Sequence, residues 1–116
     1  SGSRVPLSCL SAELKRDREV VLGAVKSMGY QLRYASAELR GSREFMLEAV
    51  KQNGTALQWT SEESFKGDKD IVLEAVEQDG GMLQHASEEL KGDKMVVLAA
   101  VRQKGLALQW ASEDLR

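Results

Sequence analysis

A chain of 116 residues with 42% hydrophobic content can build one core, while 16 basic and 18 acidic side chains leave a formal charge of −2; no large positive field is present to draw nucleic acid or an anionic membrane surface. Cys9 is the single cysteine, which excludes an internal disulfide and a thiolate metal cluster and favours a reducing, intracellular and cytoplasmic setting. The longest apolar run, Met95 to Val101, is far too short to span a bilayer, so no membrane insertion is expected.

Residues 1–4 carry no initiator Met, signal-peptide pattern or periodicity, and read as an added remnant outside the fold. From residue 5 onward one helical-repeat domain is expected: a half repeat at 5–16, then repeats at 17–41, 42–67, 68–92 and 93–116. The opening "LSCLSAELKRD" has the register of a repeat's back half from Leu7. Each full repeat then starts at Asp17, Ser42, Asp68 or Asp93, side chains able to accept from the free amides of a first helical turn. It runs to Gly29, Gly54, Gly80 or Gly105, where a residue just past a helix often needs the left-handed conformation. A helix of about eleven residues is predicted between cap and glycine in every repeat.

The contents of these helices recur as well. Val20, Phe45, Ile71 and Val96 form one column, Leu22, Leu47, Leu73 and Leu98 another, and Ala24-Val25, Ala49-Val50, Ala75-Val76 and Ala100-Val101 a pair of columns. At helical spacing they cover about 200° of surface, which must be buried from more than one side. After each glycine stands "YQLRYAS", "TALQWTS", "GMLQHAS" or "LALQWAS". Leu32, Leu57, Leu83 and Leu108, with Ala35, Thr60, Ala86 and Ala111 three residues on, give a short helix one apolar face. Ser36, Ser61, Ser87 and Ser112 then cap a third turn rich in carboxylates. The one extra residue of the second repeat falls here, in "SEESFKGD" against "SEELKGD", as a loop insertion that leaves the long helices whole.

Glycines about 25 residues apart, each with the same flanking columns, mark stacked layers that bury one another. The fold expected is all-α, a short α-solenoid of tandem repeats of about 25 residues. The pattern Asp-x-x-apolar-apolar-Leu-x-Ala-Val-x-x-x-Gly-x-x-Leu-x-aromatic-Ala-Ser-x-x-Leu resembles the short helical repeat known as domain of unknown function 4116, from Val5 to Arg116. Departures are Ser42 for Asp, Arg16 for Gly, Phe65 in the inserted turn and His85 for the aromatic. The resemblance implies a fold and tandem occurrence, and carries no catalytic residue or ligand.

Two columns on the short segment hold the candidate chemistry. Tyr34, Trp59, His85 and Trp110 sit about 60° from the apolar face at α-helical spacing and are assigned to packing between repeats. Arg33, Gln58, Gln84 and Gln109 sit about 160° from it and should meet solvent. With Tyr30, Leu106 and Met95, they make the candidate interaction face. His85 is the only histidine and occupies an aromatic slot with no second metal ligand beside it. The repeated serines are caps without a dedicated base, and "GDKDIVLE" lacks the central glycine of a calcium loop. No catalytic, cofactor or metal residue is therefore assigned, and the chain is not expected to be an enzyme. Arg18, Arg43, Lys69 and Lys94, at the first helical position, are expected to pair with Glu13, Glu38, Glu63 and Glu89 of the preceding turn.

Outward positions on the long helices differ between repeats: Asp70, Glu74 and Glu77 make the third acidic, whereas Met95, Ala99 and Arg102 make the fourth partly apolar. The reading favoured is a non-catalytic protein-interaction or scaffold module, part of a larger array or assembly and able to associate end to end. The alternative is a nucleic-acid or small-ligand binder that reads the Gln and aromatic columns layer by layer.

Overall fold

The computed structural model describes residues 17–60 and 62–116. The half repeat at 5–16, with Leu7, Cys9 and Glu13, lies outside the described residues, as does the cap assigned to Ser61. The described chain is helical throughout, with no strand among the described residues. Long helices α1 (Arg18–Ser27), α2 (Arg43–Gln52), α3 (Lys69–Gln78) and α4 (Lys94–Gln103) alternate with the 3-10 segments η1 (Gly29–Tyr34), η2 (Gly54–Trp59), η3 (Gly80–His85) and η4 (Gly105–Trp110). A further short turn closes each repeat, at Ala37–Arg40, Glu63–Gly67, Glu88–Lys91 and Glu113–Leu115. Each long helix packs on the next long helix and on the 3-10 segment that follows it, α3 and α4 pack also on the 3-10 segment before them, and successive 3-10 segments touch. This stacking makes an α-solenoid measuring 47 × 26 × 17 Å.

The caps set where every long helix starts. The Asp17 carboxylate accepts from the Val20 amide, the Ser42 hydroxyl from Phe45, and Asp68 and Asp93 from the amides two and three residues on. These bonds satisfy first-turn donors that the helix itself leaves unpaired. Phe45, Ala49, Ile71, Ala75, Val96 and Ala100 are fully buried. The second apolar position of the repeat pattern, Val21, Met46, Val72 and Val97, is buried with them, while Leu22, Leu47 and Leu73 are only half-buried. The insertion in the second repeat is absorbed by a 3-10 turn that buries Phe65 where the third repeat buries Leu90, and α2 and α3 keep their length.

Two expectations are corrected. The glycines do not adopt the left-handed conformation: no described glycine has positive φ, and each long helix ends on Met28, Asn53, Asp79 or Lys104 in extended backbone. Glycine is needed instead for close approach to the next layer. A Cβ on Gly54 would lie 2.9 Å from the Ala75 carbonyl oxygen and 3.0 Å from Gln78 Cβ. On Gly80 it would collide with the Ala100 carbonyl, and on Gly29 with the Thr55 hydroxyl. The second correction concerns Arg43 and Lys69, which reach forward into the next repeat and not back to Glu38 and Glu63; Arg18 also reaches forward, its expected partner Glu13 lies outside the described residues, and among the described residues no ion pair joins Lys94 to Glu89. Arg18 pairs with Glu44 and Glu48, Arg43 with Asp68 and Asp70, and Lys69 with Asp93 at 3.1 Å. Asp68 and Asp93, which cap α3 and α4, thereby also neutralise the cations that the macrodipoles of α2 and α3 disfavour.

Candidate functional site

The post-glycine segments form 3-10 helices, so residues three apart eclipse and each segment presents three faces. On the first face Leu32, Leu57 and Leu83 are fully buried, and Ala35, Ala86 and Ala111 nearly so. The second face carries Gln31, Ala56, Met82 and Ala107, all buried, followed by half-buried Tyr34, Trp59, His85 and Trp110. The third face holds the pairs Tyr30/Arg33, Thr55/Gln58, Gly81/Gln84 and Leu106/Gln109; it is an exposed outer edge at Tyr30, Arg33, Gln84, Leu106 and Gln109, whereas Thr55 and Gln58 are half-buried and Gly81 is buried. At α-helical spacing the buried 31/56/82/107 column does not line up with the aromatics; at three residues per turn it does.

The structure brings Arg33, Gln58, Gln84 and Gln109 onto equivalent positions of successive layers. Arg33, Gln84 and Gln109 are exposed, whereas Gln58 is half-buried. Gln84 and Gln109 each donate to the carbonyl three residues earlier, Gly81 and Leu106, both at 3.1 Å. Met95 is apart from this group: it stands in the first turn of α4, whereas Leu106 follows the other end of that helix. Both are strongly exposed, Met95 at 60% and Leu106 at 71%.

The first repeat breaks the column with an arginine set among aromatic rings. The Arg33 guanidinium carbon lies 4.8 Å from the Tyr34 ring centre, 5.6 Å from Tyr30 and 5.8 Å from Trp59 in the next layer. It also donates to Tyr34 Oη at 2.6 Å. Ring faces at these distances attract the cation and fix its plane. An exposed, pre-oriented guanidinium beside two tyrosines can accept a carboxylate or another planar anion in two-point contact.

His85 belongs to the packed column. Burial, reinforced by the positive charges of Lys66 and Lys91, lowers its pKa below the usual histidine value despite Asp79. No group of metal-ligating side chains occurs among the described residues, and none of their helices is long and apolar enough to cross a membrane.

A glutamine column that the sequence reading passed over ties the layers together. Gln78, at the end of α3, donates to the Val50 carbonyl at 2.6 Å and accepts from the Gly54 amide at 2.9 Å. Gln103 accepts from the Gly80 amide at 2.5 Å, and Asn53 donates to the Val25 carbonyl at 3.2 Å. The available signal was position: Gln52, Gln78 and Gln103 all close a long helix, where open carbonyls need donors.

The model of the family described as Domain of unknown function (DUF4116) matches at residues 7–40, 17–66, 42–81 and 68–116. No curated protein and no solved structure matches the chain.

Proposed function

The chain belongs to the DUF4116 family, and from that premise we propose that it is a non-catalytic protein-interaction module whose recognition edge is the outer face of the stacked 3-10 segments. One observation carries this reading. Contacting layers keep one leucine on the first inner face, Leu32, Leu57, Leu83 and Leu108, while the first residue of the outer pair differs in every layer, Tyr30, Thr55, Gly81 and Leu106, and the second changes from Arg33 to Gln. A constant leucine face serves stacking, and a variable outer edge is where a repeat protein distinguishes partners. The Arg33 cluster at one end and the exposed Leu106 at the other suit a segment offering a carboxylate followed by an apolar side chain. The lone Cys9 supports placing this encounter in a reducing, intracellular compartment.

The Arg33 and aromatic cluster also favours a second reading, in which a nucleobase stacks on this edge and its phosphate meets Arg33. A binding assay separates the two. Immobilised chain and its Arg33→Ala and Tyr30→Ala variants are offered native extract and, separately, single-stranded RNA. The protein reading expects a partner lost with Arg33→Ala at unchanged melting temperature and only weakly sensitive to salt. RNA retention that weakens steeply with salt transfers the assignment to the second reading, and a partner indifferent to both substitutions places recognition elsewhere.

A further inference from the structure

Asn53 is the only asparagine of the chain, and a glycine follows it. An asparagine before glycine is the pair most open to spontaneous deamidation, because no Cβ on the glycine crowds the approach of its amide nitrogen to the carboxamide. The reaction needs a glycine nitrogen able to give up its proton and a carboxamide carbon free to meet it. The stacked layers withhold both. The Gly54 amide donates to Gln78 Oε1 at 2.9 Å. The Asn53 carboxamide is held at both ends: its oxygen accepts from the Thr55 amide at 3.1 Å and the Thr55 hydroxyl at 2.7 Å, and its nitrogen donates to the Val25 carbonyl at 3.2 Å. Gly54 also lies tight against α3, where a Cβ would stand 2.9 Å from the Ala75 carbonyl oxygen.

Three layers meet at this dipeptide. Val25 belongs to α1, Asn53 ends α2, and Gln78 is the last residue of α3, where it also donates to the Val50 and Lys51 carbonyls at 2.6 and 3.2 Å. The same guard recurs one layer on, where the amide of Gly80, after Asp79, donates to Gln103 Oε1 at 2.5 Å. The ionised carboxylate of Asp79 is a poor target for attack, so the reactive pair is Asn53-Gly54.

We propose that Asn53 is a covalent modification site, a deamidation site that Gln78 keeps closed while the second and third layers stay stacked. When local opening releases Gln78, the Gly54 nitrogen loses its proton and attacks Asn53 Cγ. A C–N bond forms, the Cγ–Nδ2 bond breaks, and the departing nitrogen takes up a proton and leaves as ammonia. Water then opens the five-membered succinimide at either carbonyl, leaving aspartate or isoaspartate. One water is consumed, one ammonia is released, and nothing is oxidised or reduced. Neither product, once ionised, donates to the Val25 carbonyl, so the first layer loses that tie to the second. Isoaspartate also lengthens the backbone beside Gly54, where the Ala75 carbonyl leaves no room. A passing opening between layers two and three thereby becomes a lasting defect between layers one and two. None of this depends on the partner recognition proposed above.

The test is peptide mapping by mass spectrometry of the full chain held at mildly alkaline pH, which favours loss of the amide proton. The parent should deamidate at Asn53 several-fold faster in urea than folded. Gln78→Leu, shown by circular dichroism to remain helical, should deamidate several-fold faster than the folded parent. Asp68→Ala is the control, since it weakens α3 at its other end and leaves Gln78 in place. With both variants held at the same interval below their melting temperatures, Gln78→Leu should remain the faster. Asn53→Asp, which makes one product directly, should melt below the parent. Equal rates in the folded and unfolded parent overturn the proposal, and this comparison stands even where Gln78→Leu does not fold. A Gln78→Leu rate no higher than that of Asp68→Ala overturns it as well, and so does an Asn53→Asp chain as stable as the parent.

Discussion

Asp68 is the cap of one helix and the counter-ion of the previous one: its carboxylate accepts from the Asp70 and Ile71 amides at 3.1 and 3.4 Å and from Arg43 Nε at 2.5 Å. Burial pushes its pKa up, but the Arg43 bond, the amides and the adjacent positive charge outweigh this and hold it below the usual aspartate range. Lys69 lowers Asp93 in the same way, against a smaller cost of burial. Because the folded values are depressed, the stability these groups add is present above the unfolded value of about 3.9 and is lost as pH falls through the folded value. Asp68→Ala should cost about 1 to 2 kcal/mol near neutral pH, mostly through the cap. Arg43→Ala should cost much less than Asp68→Ala, since that side chain is exposed and solvent screens the pair. Urea melts at neutral pH and near pH 3 test both, and an Arg43→Ala loss equal to that of Asp68→Ala would show the pair to dominate the cap.

The glycine columns should divide by position in the stack. Gly54→Ala and Gly80→Ala drive a methyl into the next layer's backbone and should destabilise by about 1 to 3 kcal/mol. Gly105→Ala should leave stability unchanged or raise it slightly, because the backbone there is not left-handed and the site is open. Thermal melts of the three variants check this ordering.

Trp59 and the outer glutamines should behave oppositely. Trp59 is half-buried against the core and holds a ring near Arg33, so Trp59→Ala should cost about 2 to 4 kcal/mol. The joint replacement of Gln58, Gln84 and Gln109 by Ala should barely move the melting temperature, since Gln84 and Gln109 are exposed, Gln58 is only half-buried, and Gln and Ala differ little in helical preference. Should the glutamine variant melt early while Trp59→Ala folds normally and loses binding, the buried and recognising faces are reversed.

Stability should also sag in mildly acid solution because of His85. Its folded pKa is lowered by burial and by Lys66 and Lys91, so the folded state prefers the neutral ring. The full stability is present above the unfolded value of about 6.5 and declines as pH falls below it toward the folded value. His85→Tyr, which places another aromatic of the column there, should flatten the dependence between about pH 5 and 7. Melts of parent and variant across that range measure the difference.

Much of the architecture was legible because it is local and periodic. Asp17, Ser42, Asp68 and Asp93 announce helix starts through hydrogen bonds that span only two or three residues, and Val20, Phe45, Ile71 and Val96 recur at the spacing of a stack. Such short-range chemistry reads the same in every repeat. What the sequence left open were relations between one layer and the next. The segment after each glycine is a 3-10 helix, and its three-residue turn puts Ala56 and Met82 in line with Trp59 and His85. Gly54 reads equally as a left-handed stop and as a point of close approach until the Ala75 carbonyl is in place above it. Gln78 looks like any surface glutamine until the Val50 carbonyl and the Gly54 amide converge on it from the previous layer. Arg43 gave no hint from sequence spacing that its partner stands a full repeat ahead and not in the preceding turn. Side chains bond to whatever the stacking offset places within about 3 Å, and the tertiary structure alone fixes that offset.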